Sequence, residues 1–305
     1  MSNASSLFAG VELGGTKCIC VLGTGPENIL EQLFIPTGDN PDVALAQMEA
    51  AFRSWHIEHG AVKALGIASF GPIDLDRSSS TYGYITSTPK PGWQNTDVAG
   101  RLLNVYRKLG LSSLVMGVDT DVNGAALAEG RWGAARGLEN FAYITVGTGV
   151  GVGLVVANRT VHGISHPEVG HIRIARMQGD TWPGSCPFHG DCVEGLVSGT
   201  AIQARSALQD ESIVWESVAH GLAQLVHSLV VTTAPQRIII GGGVMSAHSY
   251  LFPLIREKLL NSLNGYLQIP ALIERIDEYV VPPGLDTQSG PLGALAVAMD
   301  ATQAS

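Results

Sequence analysis

Two hydrophobic periods alternate along this chain. Short apolar runs with strand character fall at 7–12, 18–22, 29–35, 64–69, 114–118, 141–146, 152–156, 237–240 and 279–281. Between them apolar residues recur at helical spacing. Leu45, Met48, Phe52 and Trp55 follow Asn40-Pro41, a cap and first-turn pair. Further helices are expected at 98–108, from Asp121 onward, and at 214–231, 250–263 and 292–299. The first three strands read as antiparallel, after which strand and helix alternate. At 141–156 the opening strand, glycine turn and strand recur, followed again by alternating elements. The pattern predicts an α/β fold built by internal duplication, with a nucleotide held in a cleft between two lobes.

Glycine sharpens this picture. The chain has 37 in 305 residues, well above the usual ~7%, and they gather at strand ends. Gly14-Gly15 follows the first strand, Gly147, Gly149, Gly151 and Gly153 surround the repeated turn, and Gly241-Gly242-Gly243 follows another strand. Glycine there lets bare backbone N–H groups approach phosphate, although tight turns alone also use it. Neither a P-loop pattern nor G-x-G-x-x-G is present, since Val152 stands where the last glycine would be.

Charge and composition exclude several classes. Eighteen Lys and Arg against 27 Asp and Glu give a net charge of −9, which argues against a nucleic-acid or membrane-surface partner. No apolar run approaches the ~20 residues that span a bilayer. Met1 to Ser6 lacks the basic start of a secretory leader. Four cysteines do not make a disulfide scaffold, so a cytoplasmic protein is expected. Cys18 and Cys20, two apart in a strand, are expected to face one side of the sheet as core. His171, Cys186, His189 and Cys192 instead read H-x₁₄-C-x₂-H-x₂-C, the donor set and short spacing of a closed tetrahedral zinc site. Four protein ligands leave no open position, so that zinc is expected to be structural.

The segments Glu12-Leu13-Gly14-Gly15-Thr16-Lys17, Thr145-Val146-Gly147-Thr148-Gly149-Val150-Gly151 and Ile240-Gly241-Gly242-Gly243-Val244 resemble the two phosphate motifs and the adenosine motif of actin-like sugar kinases. Within them the chain is similar to the ROK family (repressors, open reading frames, kinases), and there to the bacterial fructokinases. The resemblance runs from about Ala9 to Ala298. It implies a duplicated ribonuclease-H-like fold, usually dimeric. A small lobe at 1–120 would be completed by a C-terminal helix at 289–305, and a larger lobe at 121–288 would carry the zinc loop.

It also implies an ATP-dependent hexose kinase, with D-fructose phosphorylated at its 6-hydroxyl. Kinases for glucose, mannose or N-acetylmannosamine are the alternatives within the class, and a non-catalytic or regulatory sugar-binding protein lies outside it. Gly14, Gly15, Thr16, Thr148, Gly149, Gly241, Gly242, Gly243 and Val244 would hold ATP. Lys17 either adds charge there or is an ordinary exposed lysine. Glu12 would hold Mg²⁺ through water. Asp121 matches the family's general base, which takes the proton of the sugar hydroxyl; the other reading is a helix cap in a stretch that offers Asp119, Thr120 and Asp121. Relatives often carry Asn where Thr120 stands. Glu168, His171, Glu194 and Asn123 match family sugar ligands, with His171 donating from the ring nitrogen that zinc leaves free. Gly71 and Thr88 lie in two further segments that resemble the sugar side of the first lobe.

Overall fold

A computed structural model of the chain describes residues 6–303. The start at Met1–Ser6, expected from the sequence to lack a secretory leader, lies, but for Ser6, outside the described residues, as do 304 and 305. Packing divides the described residues into two compact units: 6–132 with 162–166 and 288–303, and 133–161 with 167–287.

The first unit opens with strands β1 (Phe8–Leu13), β2 (Lys17–Gly25) and β3 (Asn28–Pro36), then helix α1 (Pro41–His59) and β4 (Ala64–Ser69). Asn40 caps α1 by accepting from Asp42 N, with Pro41 in the first turn, as the sequence predicts. Two short strands, β5 (Tyr84–Ile85) and β6 (Thr96–Asp97), precede α2 (Val98–Lys108), β7 (Val115–Thr120) and α3 (Asp121–Trp132). The second unit contains β8 (Phe141–Val146), β9 (Val150–Val156), β10 (Arg159–Thr160), α4 (Val193–Val197), α5 (Gly199–Ser206) and α6 (Glu211–Thr233). It continues through β11 (Arg237–Gly241), α7 (Gly243–Ala247), α8 (Leu251–Leu263), α9 (Pro270–Ile273), α10 (Ile276–Tyr279) and β12 (Val280–Val281). The chain then returns to the first unit as α11 (Ser289–Gln303).

Each unit is built on one five-stranded sheet, ordered β3-β2-β1-β4-β7 in the first and β10-β9-β8-β11-β12 in the second. An antiparallel run leads in both, and two parallel strands are added on the far side of β1 and β8. The duplication read from the sequence is thus visible strand by strand. The first unit runs through α3 to Trp132, past the boundary at 120 that the motifs suggested, because α3 packs against α11. Their backbones meet at Gly124 and Gly293, and Ser289 Oγ donates to the buried Glu129 carboxylate at 2.7 Å.

Helix α11 lies on the first sheet across a row of glycines. Gly10, Gly66 and Gly117 sit side by side in register on β1, β4 and β7. A Cβ on Gly66 would overlap the Ala294 carbonyl, one on Gly10 would lie 2.7 Å from Ala294 Cβ, and one on Gly117 would lie 2.5 Å from the Val297 carbonyl. The row is a groove that admits a helix backbone.

Cys18 and Cys20 are buried in this unit's core and, like all four cysteines, are not in a disulfide. Burial pushes the Cys18 thiol up to about 11, which leaves it unreactive. No described helix is long and apolar enough to cross a membrane.

Candidate active site

In the first unit, register sets the geometry. Leu13, Ser69 and Thr120 are paired neighbours at the C-terminal ends of β1, β4 and β7. The loops that leave those ends therefore emerge along one edge, where ligands of open α/β sheets bind. They carry Gly14–Lys17, Phe70–Ile73 and Asp121.

The Gly14–Thr16 turn is held by backbone. Gly14 N donates to Lys17 O at 3.0 Å, and the buried Thr37 donates from Oγ1 to Gly14 O at 2.7 Å and from N to Thr16 O at 3.1 Å. Gly15, Thr16 and Lys17 are exposed, and Lys17 Nζ lies 5.6 Å from the Phe34 ring centroid. Thr37 was not anticipated, since a threonine at a strand end carries no local signal of this role.

Glu12, at the end of β1, projects beside that turn. Its Oε2 is buried without a hydrogen-bond partner, and Gly290 of α11 leaves room for the carboxylate. Burial above all, then the charge of Asp121, raises its pKa to about 7, with Lys17 opposing. A carboxylate left buried and unsatisfied beside a glycine turn fits a hydrated cation.

Asp121 opens α3. Thr120 does the capping, with Oγ1 accepting from Asn123 N at 3.2 Å, while Asp121 Oδ1 accepts from Val122 N at 2.9 Å. The cap is thus Thr120 rather than Asp121. Asn123 is buried, with its amide donating to Asp119 Oδ1 at 2.7 Å. Gly71 precedes Pro72 through a cis bond and faces the His166 ring. Thr88 is buried and shapes its own turn, Oγ1 accepting from Lys90 N at 3.2 Å.

The second unit gathers its motifs around the β8–β9 turn. The turn is tighter than the sequence suggests: Gly147 N donates to Gly149 O at 2.9 Å, so β9 starts at Val150 rather than Val152. The start of α5 braces it, Gly199 N donating to Gly147 O at 2.7 Å and Thr200 Oγ1 to the carbonyl of the exposed Thr148 at 2.9 Å. Ser198 caps that helix. Ser198-Gly199-Thr200 was missed, although a serine cap ahead of a small residue is its signature. Gly242 has φ +88°, and a Cβ there would lie 2.5 Å from Val146 N, so the Gly241–Val244 segment rests on the end of β8. A cavity of about 780 Å³ in this unit, lined by Gly179, Asp180, Arg205 and Gln209 among others, includes none of these residues.

The H-x₁₄-C-x₂-H-x₂-C residues converge. Backbone bonds between Cys186 and Gly190 close a knuckle, and Cys192 precedes α4. The donor atoms of His171, Cys186, His189 and Cys192 all lie within 4.8 Å of one another. Cys186 Sγ is 3.7 Å from His171 Nδ1 and 3.6 Å from His189 Nδ1, and Cys192 Sγ is 3.5 Å from His171 Nδ1. A tetrahedron with metal–sulfur bonds of about 2.3 Å and metal–nitrogen bonds of about 2.0–2.1 Å has N···S edges of about 3.6 Å. The cluster has the dimensions of a four-coordinate metal site.

Glu194, two residues past Cys192, reaches the phosphate-type turn: its Oε2 accepts from Val150 N at 3.1 Å and stands where a Cβ on Gly149 would be. Glu168, three before His171, is open to solvent as a residue while its carboxyl is crowded. That desolvation raises its pKa, His171 pulls the other way, and the Glu194 charge adds to the rise. Glu168, Glu194 and the metal-type cluster are therefore neighbours.

The ROK family pattern matches residues 8–301. The chain belongs to the ROK family. A provisionally named fructokinase of Bacillus subtilis (strain 168) is 40% identical, covering 98% of this chain and 97% of its own. A fructokinase of Pediococcus pentosaceus is 38% identical, covering 97% and 98% respectively. Among solved structures, the ROK hexokinase of Thermus thermophilus superposes with a TM-score of 0.77 at 24% identity, over 98% of this chain and all of that one. This ROK chain therefore has the duplicated actin-like ATPase fold that its two matching sheets display.

Proposed function

We propose that the chain is an ATP-dependent fructokinase that transfers the γ-phosphoryl group of ATP to the 6-hydroxyl of D-fructose. The observation that carries this reading is the Leu13–Ser69–Thr120 register, which puts Glu12, the Gly14–Thr16 turn and Asp121 on one edge of one sheet. Relatives named fructokinase at near full length support the sugar.

Asp121 accepts the proton of the attacking hydroxyl, a role typically worth 10²–10⁴-fold in rate. The Gly14–Thr16 and Gly147–Gly149 turns offer backbone N–H groups to phosphate oxygens, and Gly241–Gly243, followed by Val244, offers a side-chain-free surface to the adenosine. Lys17 adds positive charge from the exposed end of β2. Glu12 would hold Mg²⁺ through water, which lowers the charge on the transferring phosphates. His171, Cys186, His189 and Cys192 would hold a structural Zn²⁺ that ties down the loop carrying Glu168 and Glu194. With Nδ1 of His171 turned toward the thiols, its Nε2 is the nitrogen left to meet a sugar hydroxyl. Glu168 and Glu194 supply acceptors, and Asn123, Gly71 and Thr88 are read as further sugar ligands on the family resemblance. The protein is read as cytoplasmic on its composition and as homodimeric on the family resemblance, and light scattering coupled to gel filtration tests the dimer.

A coupled ADP-release assay over fructose, glucose, mannose and N-acetylmannosamine tests the proposal. Fructose should give the highest kcat/KM. A higher value for any other sugar would replace the substrate, and no turnover with any of them would remove the kinase reading.

A further inference from the structure

The five residues His162-Gly163-Ile164-Ser165-His166 pack with the first unit although the chain on either side belongs to the second. They lie outside the phosphate, adenosine and metal-type motifs. His162 Nε2 lies 3.0 Å from Asp119 Oδ1, and that oxygen also accepts from Thr120 N at 2.8 Å and from Asn123 Nδ2 at 2.7 Å. Asp119 is only 4% exposed, so its carboxylate depends on these donors. At the other end of the strap His166 is buried, and its Nε2 accepts from Ile73 N at 3.2 Å. A ring nitrogen that accepts leaves the proton on Nδ1 and the imidazole neutral. Gly163, Ile164 and Ser165, between the two anchors, are exposed.

The anchors fall on two particular loops. His166 holds the segment after β4, and His162 holds the segment after β7, whose strand ends are paired at Ser69 and Thr120. Asp121 sits midway between Asp119 and Asn123, which are bonded to each other, and the His162 ring joins the pair through Asp119 Oδ1. The backbone that presents Asp121 is thus clamped on both sides by one three-residue cluster.

We propose that His162 is a positioning residue for Asp121, acting through Asp119, and that the 162–166 strap locks the loops after β4 and β7 into one edge. This rests on reading Asp121 as the general base. Proton transfer demands placement so close that a misplacement of about 1 Å can cost 10²-fold in rate. Losing the imidazole N–H leaves a buried carboxylate one donor short, and the 119–123 backbone shifts to recover it. ATP, held by other turns, is not affected.

The test compares His162→Leu, which removes the donor, with His162→Gln, which restores an N–H near the same place. His162 is partly exposed, so both variants should fold, and melting temperature is recorded for each. His162→Leu should lower kcat at least tenfold with KM for ATP within twofold of wild type, and His162→Gln should recover most of the loss. A His162→Leu enzyme with kcat within twofold of wild type overturns the proposal. So does a fall in kcat that Gln fails to rescue and that follows melting temperature. Asp121→Asn is measured alongside: if it kept near-full kcat, the base reading and this proposal would fail together. An inactive Asp121→Asn beside a fully active His162→Leu would remove this proposal alone.

Discussion

Glu12→Gln should make the ligand-free protein more stable at alkaline pH while impairing turnover. Folding carries the Glu12 carboxyl from an ordinary value of 4.5 to about 7, chiefly by burial and then by the charge of Asp121. The folded state therefore binds the proton more tightly than the unfolded state. Stability from this group is fully present below pH 4.5 and is lost as pH rises through 7. By pH 8 the ionised carboxylate costs about 3 kcal/mol relative to its protonated form, an upper value for a partly shielded group. Glutamine fills the same space and cannot ionise. Urea unfolding of both proteins without nucleotide or Mg²⁺, at pH 4.5, 6 and 8, reads the difference. The variant should gain on the wild type by roughly 2–3 kcal/mol between the lowest and highest pH, whatever constant offset the amide introduces. Mg²⁺ with ATP should narrow the gap by stabilising the wild type more than the variant. A difference that did not change with pH would refute the reasoning, because it would mean that Glu12 titrates alike in the folded and unfolded chains.

Asp121→Asn should lower kcat at least 10²-fold, as loss of a general base does, while isothermal titration still detects fructose and ATP; retention of more than a tenth of wild-type kcat would exclude the role. Cys186→Ser, or removal of metal with a chelator, should release one zinc per chain by elemental analysis, lower melting temperature and raise KM for sugar before KM for ATP. Protein that is metal-free and fully active would sink the site. Gly242→Val forces a β-branched residue to φ +88° against Val146, so KM for ATP should rise far more than KM for fructose; an equal rise would detach the segment from the nucleotide. Gly66→Ala drives a methyl into the Ala294 carbonyl and should destabilise by at least 2–3 kcal/mol, the upper range for overpacking. A change below about 0.5 kcal/mol in denaturant unfolding, typical of neutral surface sites, would mean that α11 shifts freely.

What the sequence made legible were features written in consecutive residues. The Asn40-Pro41 start of α1, the limits of β4, β8 and α2, and the convergence of His171 with Cys186, His189 and Cys192 all follow from local spacing. Features assembled from distant residues escaped it. Gly10, Gly66 and Gly117 form a groove only once three strands are in register, and each looks like an ordinary strand glycine alone. Thr37 braces the Gly14 turn from across the sheet, and His162 finds Asp119 through a chain excursion that no periodicity announces. Helices α4 and α5 are too short to display a period, and Gly195 interrupts α4. Thr120 shows the limit most clearly: three polar residues competed for one cap, and only the 3.2 Å bond to Asn123 N decides among them.

The glycine groove under α11 also bears on how the molecule comes into being. The helix that fills it follows residues 133–287 in the chain, so the whole second unit is an insertion within the first. A ribosome releases β1, β4 and β7 long before it releases their covering helix. During that interval the groove face of the first sheet stays open to water and to other nascent chains, while the second unit already has all its own parts. The order of maturation is then inverted relative to the order of synthesis: the part made first is finished last.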